Sequence, residues 1–121
     1  MLESPTDAVG PPLDLVHLAR QCLGDHELES EVLGLFRLQA PALTAELSGS
    51  PLLSLESKAK IAHTLRGSAL AVGARRVASA AWRIEELAAA GVDQRSAQAP
   101  AIAALQAAVA EALEEIDRIR G

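Results

Sequence analysis

The sequence predicts an all-α protein: an antiparallel four-helix bundle with an additional short N-terminal helix. Three observations point there. Half of the residues are apolar, yet aromatic residues make up only 2%, with one Phe, one Trp and no Tyr. A core must then be built from Leu, Ile, Val and Ala, which pack well between helices, and Ala and Leu are strong helix formers. Apolar residues recur at steps of three and four, the helical period, while the alternation typical of strands is scarce. At 121 residues the chain has the size of one domain. Such a domain hides roughly two-thirds of the surface its unfolded chain exposes, so one core can stand alone.

Residues 1–12 hold Pro5, Gly10, Pro11 and Pro12 with little apolar content and read as a flexible N-terminal tail. Residues 13–121 read as the bundle. A first short helix is expected over residues 13–24, with Leu15, Leu18 and Leu23 inward. Asp25 suits the N-cap of a second helix running to about residue 47. Its stripe is Leu28, Val32, Leu35, Phe36, Leu43 and Leu47, interrupted by Pro41, which should kink or locally break it. Ser48, Gly49, Ser50 and Pro51 form a loop signal. The third helix is expected from residue 52 or 53 to Val72, with Gly73 just past its C-terminus. A fourth covers residues 74–90, ended by Gly91, with Val77, Ala81, Ile84, Leu87 and Ala88 inward. Residues 92–99 read as a polar connection. The last helix should start near Pro100, where proline suits a first turn, and carries Ile102, Leu105, Val109, Leu113, Ile116 and Ile119. Four long amphipathic helices with short connections favour an antiparallel bundle.

Charge and cysteine content exclude several classes. The formal net charge is −5 and the isoelectric point is near 5.1, which argues against nucleic acid and anionic membranes as partners. Cys22 is the only cysteine, so no internal disulfide and no thiolate metal cluster can form. No stretch has the length and apolarity of a membrane span, and no secretory leader is evident. These features fit a cytoplasmic protein, expected to be a monomer.

The chemistry concentrates in Ala62-His63-Thr64-Leu65-Arg66-Gly67-Ser68-Ala69. At about 100° per residue, Leu55, Ala62, Leu65, Ala69 and Val72 gather on one side, the core side. His63 projects roughly 150° from the centre of that cluster, into solvent at mid-helix. Its neighbours three and four residues away are Ala59, Lys60, Arg66 and Gly67, two small and two basic. An exposed imidazole is largely neutral at pH 7 and offers a nucleophilic nitrogen. Glycine inside a helix costs about 1 kcal/mol relative to alanine, so Gly67 trades stability for open space beside the ring. Arg66 and Lys60 can offset the charge of a phosphoryl group. No GxxxxGK[ST] loop, kinase-type glycine loop or acidic Mg²⁺ pair accompanies them. The chain is therefore expected to accept and donate phosphoryl groups without using ATP: a phosphocarrier, not an enzyme with its own nucleotide site.

His63-Thr64-Leu65-Arg66-Gly67-Ser68, followed by Val72-Gly73-Ala74, resembles the signature of histidine-phosphotransfer (HPt) domains. Ile84-Glu85 matches the apolar-Glu pair that the family shows on the next helix. Val32-Leu33-Gly34-Leu35-Phe36, with Pro41 and Leu43 beyond it, is similar to the family's second helix. The resemblance covers roughly residues 13–120. It implies that His63 is the phosphorylated residue, Arg66 the supporting cation and Gly67 the residue giving access. It implies a histidine kinase or its receiver as donor, a response-regulator receiver aspartate as acceptor, and Mg²⁺ supplied by the receiver, with no cofactor in this chain. Arg66 stands where lysine is commoner, which keeps the charge but changes the geometry.

Other residues carry weaker signals. His17 and His26 read as ordinary surface histidines, no metal site is expected, and Cys22 reads as an apolar filler. Leu70, Arg75, Arg76 and Ala59 are candidate partner contacts, the two arginines equally readable as solvated charges at a helix start. Trp82 falls off its helix's core stripe and either packs under a loop or joins a partner patch. Glu85 and Glu86 read as solvent-facing charges. Two functions compete: a phosphorelay intermediate working through His63, and an adaptor of the same fold that only docks kinases or receivers. The intact histidine, cation and glycine favour the first.

Overall fold

Five helices and no strand make up the described residues, which are 10–49, 53–92 and 95–120 of the computed structural model. They are α1 (Leu15–Gln21), α2 (His26–Gly49), α3 (Leu55–Val72), α4 (Arg75–Ala89) and α5 (Arg95–Arg120). Helices α2 to α5 form a ring in which each packs on its two sequence neighbours and α2 closes onto α5. Arg37 of α2 pairs with Asp117 near the end of α5, and Arg76 at the start of α4 pairs with Glu111. Gly34, three residues before Arg37, lies beside the Arg120 side chain, so α2 and α5 run antiparallel. The short α1 caps the bundle against α3 and α2.

The most extensive contact is between α3 and α4. Ala62, Ala69, Ala74, Ala78 and Ala81 are buried there, and such small side chains let two helix backbones approach closely. Around them Phe36, Leu18, Leu65, Leu105, Ile116, Val72 and Val77 fill the interior. Full burial of each such side chain contributes about 1.5–3 kcal/mol.

The corner between α3 and α4 is fixed by Asp14. Gly73 takes a left-handed φ of 76°, which ends α3. A Cβ on Gly73 would lie 2.7 Å from the Asp14 carbonyl oxygen, so only glycine fits. The Asp14 N–H donates to the Gly73 carbonyl at 2.9 Å. One Asp14 carboxylate oxygen accepts the His17 N–H and caps α1; the other accepts Arg75 at 2.8 Å. These donors hold the Asp14 carboxyl below its usual range, the His17 backbone N–H first. His17 Nε2 donates to the Leu70 carbonyl at 2.8 Å, a second tie from α1 to the end of α3.

Several boundaries and faces differ from the sequence reading. Leu18 is buried as expected, but Leu15 and Leu23 are exposed, and Leu13 and Cys22 are buried in their place. Leu23 sits at a positive φ of 52° in the turn after α1, which carries its side chain outward. Burial pushes the Cys22 thiol up, as expected for an inert filler. Asp25 does cap α2, accepting the Leu28 N–H at 3.1 Å. The centre of the α2 face is Leu33, Phe36, Ala40, Thr44 and Leu47. Leu28 and Leu35 lie roughly 80–100° away from Phe36 on the wheel and are exposed.

Helix α2 continues through Pro41 to Gly49 without a local break, and Ser48 and Gly49 are helical. The Thr44 hydroxyl turns back to the Ala40 carbonyl at 2.7 Å. Residues 1–9, 50–52, 93, 94 and 121 lie outside the described residues, and with them most of the expected tail and the Ser50-Pro51 part of the loop. Helix α3 begins at Leu55, capped by Ser54, which accepts the Ser57 N–H at 3.1 Å. Leu55 itself is only half-buried.

Helix α5 starts at Arg95, not near Pro100, so residues 95–99 are helical rather than a polar connection. A buried polar chain explains it. Lys58 Nζ donates to Gln98 Oε1 at 3.0 Å, and Gln98 Nε2 donates to the Val92 carbonyl at 2.6 Å. On the helix Gln98 reaches both. Buried polar groups need such partners, and this one draws the first turn of α5 onto α3. At the other end Ile119 is exposed rather than inward.

Candidate functional site

His63 stands on α3 with its core-side neighbours Ala62, Leu65 and Ala69 fully buried and its own side chain 69% exposed. The expected mid-helix, solvent-facing position is thus realised. Gly67 is one turn along the same face. A Cβ added there would meet nothing within 4 Å, so the space beside the ring is open on the protein's side. Lys60 is exposed on this face, Ala59 is half-buried, and Leu70 is exposed.

Arg66 is not a free cation. Its Nε donates to Glu85 Oε2 at 2.5 Å, and its Nη2 lies 3.4 Å from Glu85 Oε1. Glu85 comes from α4, which the Gly73-Ala74 turn folds back beside α3. Its side chain is only 18% exposed, which corrects its reading as a solvated charge. Glu85 Oε1 also lies 3.0 Å from His63 Nδ1, and Arg66 Nη2 lies 3.1 Å from the same nitrogen. His63, Arg66 and Glu85 therefore form one polar cluster spanning α3 and α4. Nδ1 faces this cluster, while Nε2 has no partner among the described residues. The wheel missed Glu85 because it treats one helix at a time; the Ile84-Glu85 pair was the signal that could have found it.

The remaining candidates are placed elsewhere. Arg75 pairs with Asp14 and Arg76 with Glu111, so both are drawn into internal ion pairs at the α3–α4 corner and the α4–α5 seam. Two cations at a helix N-terminus are unfavourable to its dipole, and the two carboxylates offset them. Trp82 is 38% exposed on α4, three residues before Glu85. His26 is exposed beside Glu29. Among the described residues no group of three His, Cys, Asp or Glu side chains is placed to hold a metal ion. Nor is any helix among them long and apolar enough to cross a membrane.

An all-α bundle presenting an exposed histidine on an open helix face, backed by a cation and a carboxylate, has the layout of a group-carrying domain. The family model of the Hpt domain matches residues 31–119, and the chain belongs to this histidine-phosphotransfer family. Helix α1 and Asp14 precede the matched segment. No curated protein and no solved structure matches the chain. Hpt domains serve histidine phosphotransfer in two-component relays as phosphocarrier modules, working with histidine kinases and receiver domains.

Proposed function

We propose that this chain is a phosphorelay intermediate that takes up and passes on a phosphoryl group at Nε2 of His63. The observation that carries the reading is the ring's setting: exposed at mid-helix, its Nδ1 occupied by the Arg66–Glu85 cluster, its Nε2 open beside Gly67. In the transfer the Nε2 lone pair bonds to phosphorus of a receiver's aspartyl phosphate. The P–O bond to that aspartate breaks and the carboxylate departs with its electron pair. The Nδ1 proton stays on the ring, whose new positive charge Glu85 offsets, as a carboxylate behind a histidine does in other transfers. Arg66 and Lys60 face the phosphoryl oxygens. The reverse sequence returns the group to a receiver aspartate.

The donor is a sensor histidine kinase or its receiver, and the acceptor is a response-regulator receiver. The receiver supplies Mg²⁺; this chain supplies position and charge, the usual protein share in phosphoryl transfer. Ala59, Gly67 and Leu70 lie on the face such a receiver would cover. The chain acts as a monomer in the cytoplasm, without nucleic acid. Incubation with a phosphorylated receiver should give an acid-labile label on the wild type and none on His63→Ala. Equal labelling of both, or binding without any label, would reject this reading, the latter in favour of the adaptor.

A further inference from the structure

Two side chains make incompatible demands on one nitrogen of His63. Nδ1 lies 3.0 Å from Glu85 Oε1, an acceptor, and 3.1 Å from Arg66 Nη2, a donor. In the neutral ring a nitrogen either carries a hydrogen or offers a lone pair, never both. If Nδ1–H donates to Glu85, Nε2 holds the outward lone pair and is a nucleophile. If Arg66 donates to a bare Nδ1, the ring hydrogen sits on Nε2, which then cannot attack phosphorus. The two neighbours thus select opposite tautomers, and only the one that Glu85 selects is reactive.

Arg66 is anchored to Glu85 through Nε, and its Nη2 is the arm with looser contacts. Its side chain is 31% exposed, and it reaches toward His63 through Nη2 while its Nε holds the other oxygen of Glu85. Nη2 lies 3.4 Å from Glu85 Oε1, its looser contact. A phosphoryl group arriving opposite Nε2 brings several anionic oxygens, stronger acceptors for a guanidinium than an imidazole nitrogen. We propose that Arg66 is a tautomer gate. In the resting site its Nη2 competes with Glu85 for Nδ1. The charge of the incoming phosphoryl group draws Nη2 away, Nδ1–H passes to Glu85, and the nucleophile at Nε2 is armed. The ring proton moves from Nε2 to Nδ1 by exchange with water, so the neutral ring stays neutral until the N–P bond forms. Glu85 and Arg66 then act as positioning residues on His63 from opposite directions. This rests on His63 being the phosphoryl site.

The test reads the ring directly. Two-bond ¹H–¹⁵N spectra of His63, recorded on the neutral ring at alkaline pH, distinguish the tautomers. The groups facing the ring are Glu85 and Arg66, with Lys60 on the same surface. The wild type should show both tautomers. Glu85→Ala should move His63 to the Nε2–H form and slow phosphoryl acceptance from a phosphorylated receiver by at least about tenfold. Arg66→Ala should move it the opposite way, to Nδ1–H, and still slow acceptance, because the cation that offsets the phosphoryl charge is lost. Glu85→Gln, whose carbonyl can still accept from Nδ1–H, should recover much of the rate lost in Glu85→Ala. General damage to the fold would not shift the ring in opposite senses in the two variants. Unchanged tautomers, shifts of the same sense, or wild-type acceptance by Glu85→Ala would overturn the gate. A label that survives His63→Ala would instead overturn the underlying assignment.

Discussion

Gly67 and Gly73 are six residues apart on one stretch of chain, and they are glycine for opposite reasons. Gly73 has a left-handed backbone and Asp14 pressed within 2.7 Å of where a Cβ would sit. Gly67 is in ordinary helix with nothing within 4 Å. The first glycine is required by the fold; the second is disfavoured by the fold, since a helix interior prefers alanine. The same contrast separates the two regions around them. The Asp14–Gly73 corner is dense with internal hydrogen bonds that tie α1, α3 and α4. The His63 face uses its polar groups on one another and leaves one ring nitrogen and a patch of backbone facing out. Crowding marks the part that holds the shape, and openness marks the face we assign to a partner.

Substitutions at the two regions should separate stability from transfer, and the largest effect is on function alone. His63→Ala should abolish phosphoryl acceptance while leaving the thermal midpoint within a few degrees, since the ring is exposed; a phosphotransfer assay beside a thermal melt checks both. Next, Leu65→Ala, two residues from His63 but fully buried, should destabilise the domain by about 2–5 kcal/mol in chemical denaturation. At Gly73, valine should be destabilising by about 2 kcal/mol or more, combining a positive φ with the Asp14 clash. At Gly67 the signs split. Alanine should stabilise the fold by up to about 1 kcal/mol, and a bulky residue such as leucine should fold normally yet slow transfer. A Gly67→Leu variant with full transfer rates would erase the distinction drawn between the two glycines.

The smallest expected effect concerns pH. The Asp14 carboxyl is lower in the folded protein than in the unfolded chain. Its contribution is therefore complete above the ordinary carboxylate range, near pH ~4, and fades as pH falls through the depressed folded value. Asp117, held down by Arg37, acts in the same sense. Asp14→Asn should lower stability at neutral pH and flatten the acid limb, the gap to the wild type closing as pH falls through the depressed value. An unchanged acid limb would detach the corner from this account.

The His63 face was legible in the sequence because its logic lies within one helix. A fixed angle per residue places His63 opposite Leu65 and Ala69 and puts Gly67 beside it. What depends on a second helix was not legible that way. Glu85 reaches His63 only because the Gly73-Ala74 turn sets the register of α4 against α3, and a single-helix wheel cannot express that. The start of α5 shows the same limit. Pro100 is a good local start signal, but the tertiary bond from Lys58 to Gln98 outweighs it and extends the helix back to Arg95. Leu15 and Leu23 are apolar and were expected inside, yet the seven residues of α1 can turn only Leu18 fully inward, with Leu13 and Cys22 covering its two ends.

The central claim is that His63 carries the phosphoryl group on the nitrogen facing away from Glu85. Its most direct measurement is ³¹P and ¹⁵N spectroscopy of the ring-labelled chain after transfer from a phosphorylated receiver. The account requires a phosphorus–nitrogen coupling at Nε2 of His63, absent from His63→Ala. Phosphorus on Nδ1, or on any other residue of the chain, would contradict it.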